Sequence, residues 1–198
     1  MSTGKFIVFE GLDGSGKTTQ INRLSEHLKK NNIPHIVTKE PTDNPIGALA
    51  RCVVRGEVSL TKEALSLLFA ADRAEHIATE ISPALSAGKF VLCDRYIYSN
   101  MAYQNGVQVV TDSHHLKKPD LTIFIDTSPE ECTRRIIANR QSMDIYDGIK
   151  ISQQIRTKYL ESFRRYKLGM PVEIINGDQQ EDEIFSKLLS LPMFYQVL

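Results

Sequence analysis

"KFIVFEGLDGSGKTTQ", residues 5–20, passes from an unbroken apolar run into a glycine-rich loop and then into a helix-forming stretch. The run at 5–9 has no polar alternation, so it reads as a strand buried on both faces. The loop matches Gly-x-x-x-x-Gly-Lys-Thr at Gly11, Gly16, Lys17 and Thr18. Its place between strand and helix is the context that gives the pattern meaning. Glycines let backbone N–H groups wrap a phosphate at a helix N-terminus, where the aligned peptide dipoles favour negative charge. The stretch therefore predicts a nucleoside triphosphate held by Gly11, Leu12, Asp13, Gly14, Ser15, Gly16, Lys17 and Thr18. Lys17 would reach the β- and γ-phosphates and the Thr18 hydroxyl would ligate Mg²⁺. A glycine-rich turn with an incidental lysine is the plainer alternative, and the context weighs against it.

Four further apolar runs follow, at 34–38, 90–94, 121–126 and 172–176, and helical patterns fit between them at 17–31, 46–55, 61–82, 128–140, 149–167 and 180–190. Buried strands interleaved with helices predict a doubly wound α/β fold, a five-stranded parallel sheet flanked by helices, with the ligand at the carboxyl edge of the strands. Two helix starts carry cap signals: Ser128-Pro129 with Glu131, and Asp178 with Glu181.

A chain of 198 residues suits one core, so a single domain is expected over 1–198. Lys plus Arg and Asp plus Glu number 24 each, which leaves no global field to attract nucleic acid or a membrane surface. The first residues lack the basic and apolar parts of a signal peptide, and no run approaches a membrane span. Cys52, Cys93 and Cys132 are isolated and without metal-ligand pairing, as in reduced proteins. A cytoplasmic location is the expectation.

The phosphate loop does not say what the nucleotide is used for. No guanine-reading Asn-Lys-x-Asp segment is present. "FVLCDRYIYSNMAYQ" (90–104) brings Asp94 and Arg95 to a strand's carboxyl end, fit for a metal-bound water and for phosphate oxygens; a structural ion pair capping the strand is the alternative. Arg51 reads equally as a phosphate ligand or a surface charge. In "EALSLLFAADRAEHIATEI" (63–81), Leu67, Ala71, Ala74, Ala78 and Ile81 recur at helical steps and form the expected core face. Phe69 then falls on the polar side, beside Arg73. It reads as an isolated exposed ring, a packing contact, or a stacking platform for a base, with packing slightly ahead on physical grounds alone.

"FEGLDGSGKTTQ", "KEPT", "LLFAADRAEH", "DRYIYSNMAYQ" and "PDLTIFIDTSPE", in this order from residue 9 to about 140, resemble the thymidylate kinases, phosphate-loop enzymes of the nucleoside monophosphate kinase type. The resemblance implies transfer of the γ-phosphoryl group of ATP, with Mg²⁺, to deoxythymidine monophosphate (dTMP), giving the diphosphate for deoxynucleotide synthesis. It implies that Phe69 stacks on thymine and Arg73 hydrogen-bonds the base edge. Arg95 and Arg51 would hold the acceptor phosphate, and Asp13 would contact the acceptor's 3′-hydroxyl or the metal. Asn100 would help read the base, Tyr103 would crowd the 2′ position and Gln104 would line the pocket. Thr18 and Asp94 would serve the metal, and Lys17, Arg95, Arg140 and Asp13 the transfer.

Some members of the family carry a basic residue where Gly14 stands, so positive charge must come from elsewhere. The family's mobile lid corresponds to about 140–148, and Arg140 at its start is the first candidate, with Arg134 and Arg135 behind it. A solvated helix face is the reading for at least one of those two. The connection between Gln104 and Pro119 reads as shorter and more polar than is usual in the family, with His114 and His115 as exposed loop residues. The resemblance also implies a homodimer built from helix packing. A monophosphate kinase of altered base preference and an ATP-binding switch are the rival readings.

Overall fold

The computed structural model describes residues 4–104, 116–139, 148–165 and 169–195. Five strands, β1 (Phe6–Glu10), β2 (His35–Lys39), β3 (Phe90–Asp94), β4 (Leu121–Asp126) and β5 (Val172–Asn176), form one sheet in the order β2-β3-β1-β4-β5. Every pairing is parallel. The central position of β1 explains its unbroken hydrophobicity: all five residues are buried. Phe6 and Val8 enter a core with Tyr96, Met101, Phe124 and Tyr159, while Ile7 and Phe9 enter the opposite core with Leu24, Leu28, Ile123 and Leu188. At the edge, β5 has one face in solvent, and Ile174 is exposed.

The helices are α1 (Lys17–Lys30), α2 (Pro45–Val54), α3 (Lys62–His76), α4 (Ser82–Ser86), α5 (Ile97–Gln104), α6 (Pro129–Asn139), α7 (Ile149–Arg165), α8 (Glu181–Leu189) and α9 (Pro192–Tyr195). Among the described residues no helix is long and apolar enough to cross a membrane. The register sets Phe9 level with Asp94, and Lys39 with the same Asp94. The phosphate loop after β1, the β2 end and the β3 end therefore open onto one edge.

The structure corrects several local expectations. The helix expected over 61–82 is α3, a π-helical turn at Ile77–Ile81, and α4. Pro83 has no N–H and crowds the preceding turn, and a widened turn just before it accommodates the defect. The expected core face of α3 is mostly outside: Leu67, Ala71, Ala74 and Ala78 are exposed, and Ile81 alone of that set is buried. The inward stripe is Leu65, Ser66, Asp72, Arg73 and His76, because the 40–44 loop and α5, which pack on α3 together with α2, offer polar partners.

At the start of α8 the cap is Gln180 with Glu183, not Asp178 with Glu181; Asp178 instead accepts from the backbone N–H and hydroxyl of Ser128. Glu131 does not close a capping box with Ser128, because its carboxylate is taken by Arg134 and Arg135. Helix α5 was not among the expected elements. Cys93 and Cys132 are buried free thiols.

Candidate active site

The phosphate loop folds as its glycines demand. Gly14 has φ +77, and a Cβ there would lie 2.5 Å from the Cys132 carbonyl oxygen. That closeness to α6 leaves room for no side chain, basic or otherwise, at this position. Gly16, at φ +99, precedes the first turn of α1. Lys17 is buried, and its Nζ donates to the carbonyls of Gly11 at 3.1 Å and Leu12 at 2.8 Å. Burial lowers its pKa, and Arg95 adds to that; Asp94 and Asp13 oppose it. The Ser15 hydroxyl is buried without a protein partner, as a group reserved for a ligand would be.

Thr18 Oγ1 donates to Asp94 Oδ2 at 3.1 Å, while Asp94 Oδ1 is buried and unpartnered. This donor set fits Mg²⁺, which takes oxygen ligands, keeps several waters and is held by one or two carboxylates plus substrate phosphates.

Arg95 turns away from Asp94. Its backbone is left-handed, φ 70, a conformation uncommon outside glycine and concentrated at functional positions. Its Nη2 donates to Asp13 Oδ1 at 2.9 Å and to the Tyr103 hydroxyl at 3.1 Å; its Nη1 donates to Ser99 Oγ and the Tyr159 hydroxyl. The guanidinium also lies over the Tyr103 ring, 4.9 Å from its centroid. Burial works against the charge, but Tyr103, Asp13, Tyr159 and Asp94 together hold the Arg95 pKa well above its ordinary value.

Helix α5 presents Ser99, Asn100, Tyr103 and Gln104, one helical stripe, to a cavity of about 260 Å³. Across it stand Phe69 and Arg73 from α3, and Arg51 from α2. Helix α2 begins at an Asn44 cap with Pro45 at its first position. Arg51, one face later, donates to the carbonyls of Pro41 and Thr42 and pairs with Asp43. Arg73 Nε donates to Glu40 Oε2 at 2.9 Å, Nη2 pairs with the same oxygen at 2.8 Å, and the guanidinium sits 5.0 Å from the Tyr96 ring centroid. Behind it His76 contacts the other Glu40 oxygen, and Asp72 accepts the backbone N–H and hydroxyl of Thr42. The polar side of α3 is thus a buried seam that fixes the 40–44 loop. Asn100 exchanges hydrogen bonds with Ser66, whose hydroxyl donates to Oδ1 and whose carbonyl accepts from Nδ2.

A second cavity, of about 800 Å³, covers Gly14, Gly16, Lys17, Thr18 and Asp94 and extends to Arg134 and Arg135 on α6. Asp13, Arg51 and Arg95 line both cavities. The arrangement is a larger cavity over the phosphate loop joined to a smaller cleft carrying three aromatic rings, four arginines and amide groups. All seven residues expected on the acceptor side line that cleft. Arg134 and Arg135 divide: Arg134 pairs with Glu131 at 69% side-chain exposure, whereas Arg135 also reaches the carbonyls of Ser15 and Gly177. Arg140 and the lid up to residue 147, like His114 and His115, lie outside the described residues.

The family model for thymidylate kinase matches residues 9–187. The chain belongs to the thymidylate kinase family. It is 44% identical over 197 residues to the probable thymidylate kinase of Methanococcus aeolicus, covering 93% of this chain and 96% of that one. It is 37% identical over 198 residues to the probable thymidylate kinase of Pyrococcus horikoshii, covering 95% of each. With the thymidylate kinase of Clostridium novyi it shares 32% identity over 203 residues, 95% of this chain and 98% of that one. Membership makes this kinase a phosphotransferase whose acceptor is itself a phosphate group.

Sequence reasoning missed Glu10, Glu40, Ser66 and Tyr159. Glu10 is fully buried and accepts from the backbone N–H groups of Tyr96 and Ser99 and from the hydroxyls of Ser99 and Tyr159. Burial raises its pKa, with Ser99, Arg95 and Tyr159 opposing. A carboxylate ending the central buried strand was the one signal available for it.

Proposed function

We propose that this chain is a dTMP kinase, transferring the γ-phosphoryl group of ATP to dTMP to give dTDP for deoxynucleotide synthesis in the cytoplasm, with 1–198 acting as one kinase domain. The observation that carries this reading is the junction of the two cavities at Asp13, Arg51 and Arg95, where an anion on the acceptor side meets one in the cradle.

In the proposed reaction an oxygen of the acceptor phosphate attacks the γ-phosphorus, and the bond from that phosphorus to the β–γ bridging oxygen breaks. The acceptor is already an anion, so no base is needed, and the protein supplies position and positive charge. Gly11 to Thr18 bind the donor phosphates. Lys17 exchanges the Gly11 and Leu12 carbonyls for phosphate oxygens. Thr18 and Asp94 hold Mg²⁺, which when bound neutralises charge on the donor's phosphate oxygens. Arg95 and Arg51 hold the acceptor phosphate, Phe69 stacks on thymine, and Arg73 and Asn100 address its edge. Arg73 can only donate, which suits a carbonyl-bearing base. Tyr103 excludes a 2′-hydroxyl and Gln104 closes the pocket, while Asp13 contacts the acceptor or the metal and Arg140 supplies charge to the migrating group.

The chain acts as a homodimer in this reading, supported by the apolar stripe Leu67, Ala71, Ala74 and Ala78 that α3 and the π-helical turn after it expose to solvent. ADP release with ATP and Mg²⁺, measured across ribo- and deoxyribonucleoside monophosphates, tests the assignment. dTMP should be the best acceptor; no acceptor-dependent release would reject the kinase, and equal rates with ribose acceptors would reject the role given to Tyr103.

A further inference from the structure

Arg95 reaches its place by two routes, and both end on one carboxylate. The first is its backbone. Residue 95 sits at φ 70 in the turn between β3 and α5, which an arginine holds only where the surroundings over-determine it. The N–H groups of Tyr96 and Ser99, on either side of that turn's exit, both donate to Glu10 Oε1, at 3.0 and 3.1 Å. The second is its side chain. Both contacts of Nη1, Ser99 Oγ at 3.1 Å and the Tyr159 hydroxyl at 3.2 Å, are themselves bound to Glu10 Oε2, at 2.6 and 3.0 Å. The two hydroxyls also touch each other at 2.7 Å. Glu10 and Tyr159 are both fully buried, and 149 positions separate them in the chain.

This geometry divides the guanidinium. Nη1 is held from behind by Ser99 and the fully buried Tyr159, each bound to Glu10. Nη2 has its two acceptors on cleft-lining residues, the Tyr103 hydroxyl at 3.1 Å and Asp13 Oδ1 at 2.9 Å, and the Asp13 carboxylate marks a position suited to an anionic oxygen. A planar fork whose inner nitrogen is clamped has its outer edge already aimed, so little rotamer entropy remains to be lost when a phosphate arrives.

We propose that Tyr159 and Ser99, anchored on Glu10, are positioning residues that aim Arg95 at the acceptor phosphate. Tyr159 is fully buried and is not among the residues that line the cleft, whereas Ser99 also lines it. Tyr159 is the sharper probe. Its ring packs on Phe124 at 5.1 Å between centroids and on Tyr103 at 6.2 Å, and Phe at this position keeps those contacts and removes only the hydroxyl.

The inference rests on the dTMP kinase reading, and the test separates the two. Calorimetric Kd values are measured for dTMP, for thymidine (the same ligand without its phosphate) and for ATP, with Tm as a check on folding. Tyr159→Phe should weaken dTMP by about tenfold, the scale of one lost hydrogen bond to a charged group, and leave thymidine and ATP within about twofold. In an Arg95→Ala background the same substitution should do nothing further, because its effect runs through that guanidinium. Ser99→Ala should repeat the pattern, and it serves if Tyr159→Phe does not fold. Unchanged dTMP affinity overturns the proposal, as does parallel loss of dTMP and thymidine, which would mean general loosening. A wild-type protein that neither binds nor phosphorylates dTMP would instead reject the functional reading.

Discussion

Arg95 Nη2 lies 2.9 Å from Asp13 Oδ1, so the residue proposed to hold the acceptor phosphate is tied to the loop proposed to hold the donor. An acceptor phosphate entering the cleft competes with Asp13 for the same guanidinium edge. Asp13→Asn removes that competing charge. We expect kcat to fall by at least about tenfold, the cost of misplacing one group at a reacting centre, while the Kd for dTMP stays level or tightens. A weakened Kd measured by calorimetry would show that Asp13 binds the acceptor directly.

Phe69 and Arg73 both line the smaller cleft, where we propose the base sits, but differ in what else they support. Phe69→Ala should weaken dTMP by roughly 10- to 100-fold, the range of a lost base–aromatic stack, with ATP affinity unchanged. Arg73→Ala should weaken dTMP too, and also lower stability by about 3 kcal/mol, because Glu40 at 3% side-chain exposure loses its partner. Chemical denaturation separates the two effects. Normal dTMP affinity in both variants would return Phe69 to a packing role.

Thr18→Ala deletes one proposed metal ligand and one exposed hydrogen bond to Asp94. Stability should change by less than about 1 kcal/mol, while the Mg²⁺ concentration for half-maximal turnover rises several-fold. A titration that overlays wild type would remove Thr18 from the metal site.

Arg140→Ala should lower kcat far more than it raises KM for dTMP, since charge on the migrating group is needed only in the transition state. Turnover near wild type would move the role to another cation, and Arg135, bonded to the Ser15 carbonyl, is the next to test.

Glu131 carries a pH signature. Its hydrogen bonds from Arg134 and Arg135 hold its pKa near 2, against an ordinary 4.5. A lowered folded-state value means the stabilisation is complete above about pH 4.5 and disappears as pH falls through about 2. Glu131→Gln should therefore have a lower Tm than wild type at neutral pH, and the two melting curves should converge between those limits. A Tm difference that persists at pH 2 would assign the effect to packing.

The phosphate loop, the five strands and the alternation with helices were legible because each is written in contiguous residues. Eight neighbouring positions, Gly11 to Thr18, suffice to specify a loop that wraps a phosphate, and continuous Val, Ile and Phe suffice for a two-sided strand. Helix α3 was misread for a physical reason. It carries two helical stripes, and the more apolar one, Leu67, Ala71, Ala74 and Ala78, faces outward. Hydrophobic periodicity gives the direction of an apolar face, not which neighbour covers it. Resemblance, not periodicity, put Phe69 and Arg73 beside the acceptor.

By itself the sequence determined a parallel α/β sheet, an anion cradle at Gly11 to Thr18 and the family to which the chain belongs. Only the tertiary structure decided that Glu10, Ser99 and Tyr159 converge behind Arg95, and that Glu40, Asp72 and His76 form a buried seam under α3. Those groups are brought together by sheet order and helix docking. Each becomes significant only once burial has removed water as its alternative hydrogen-bond partner.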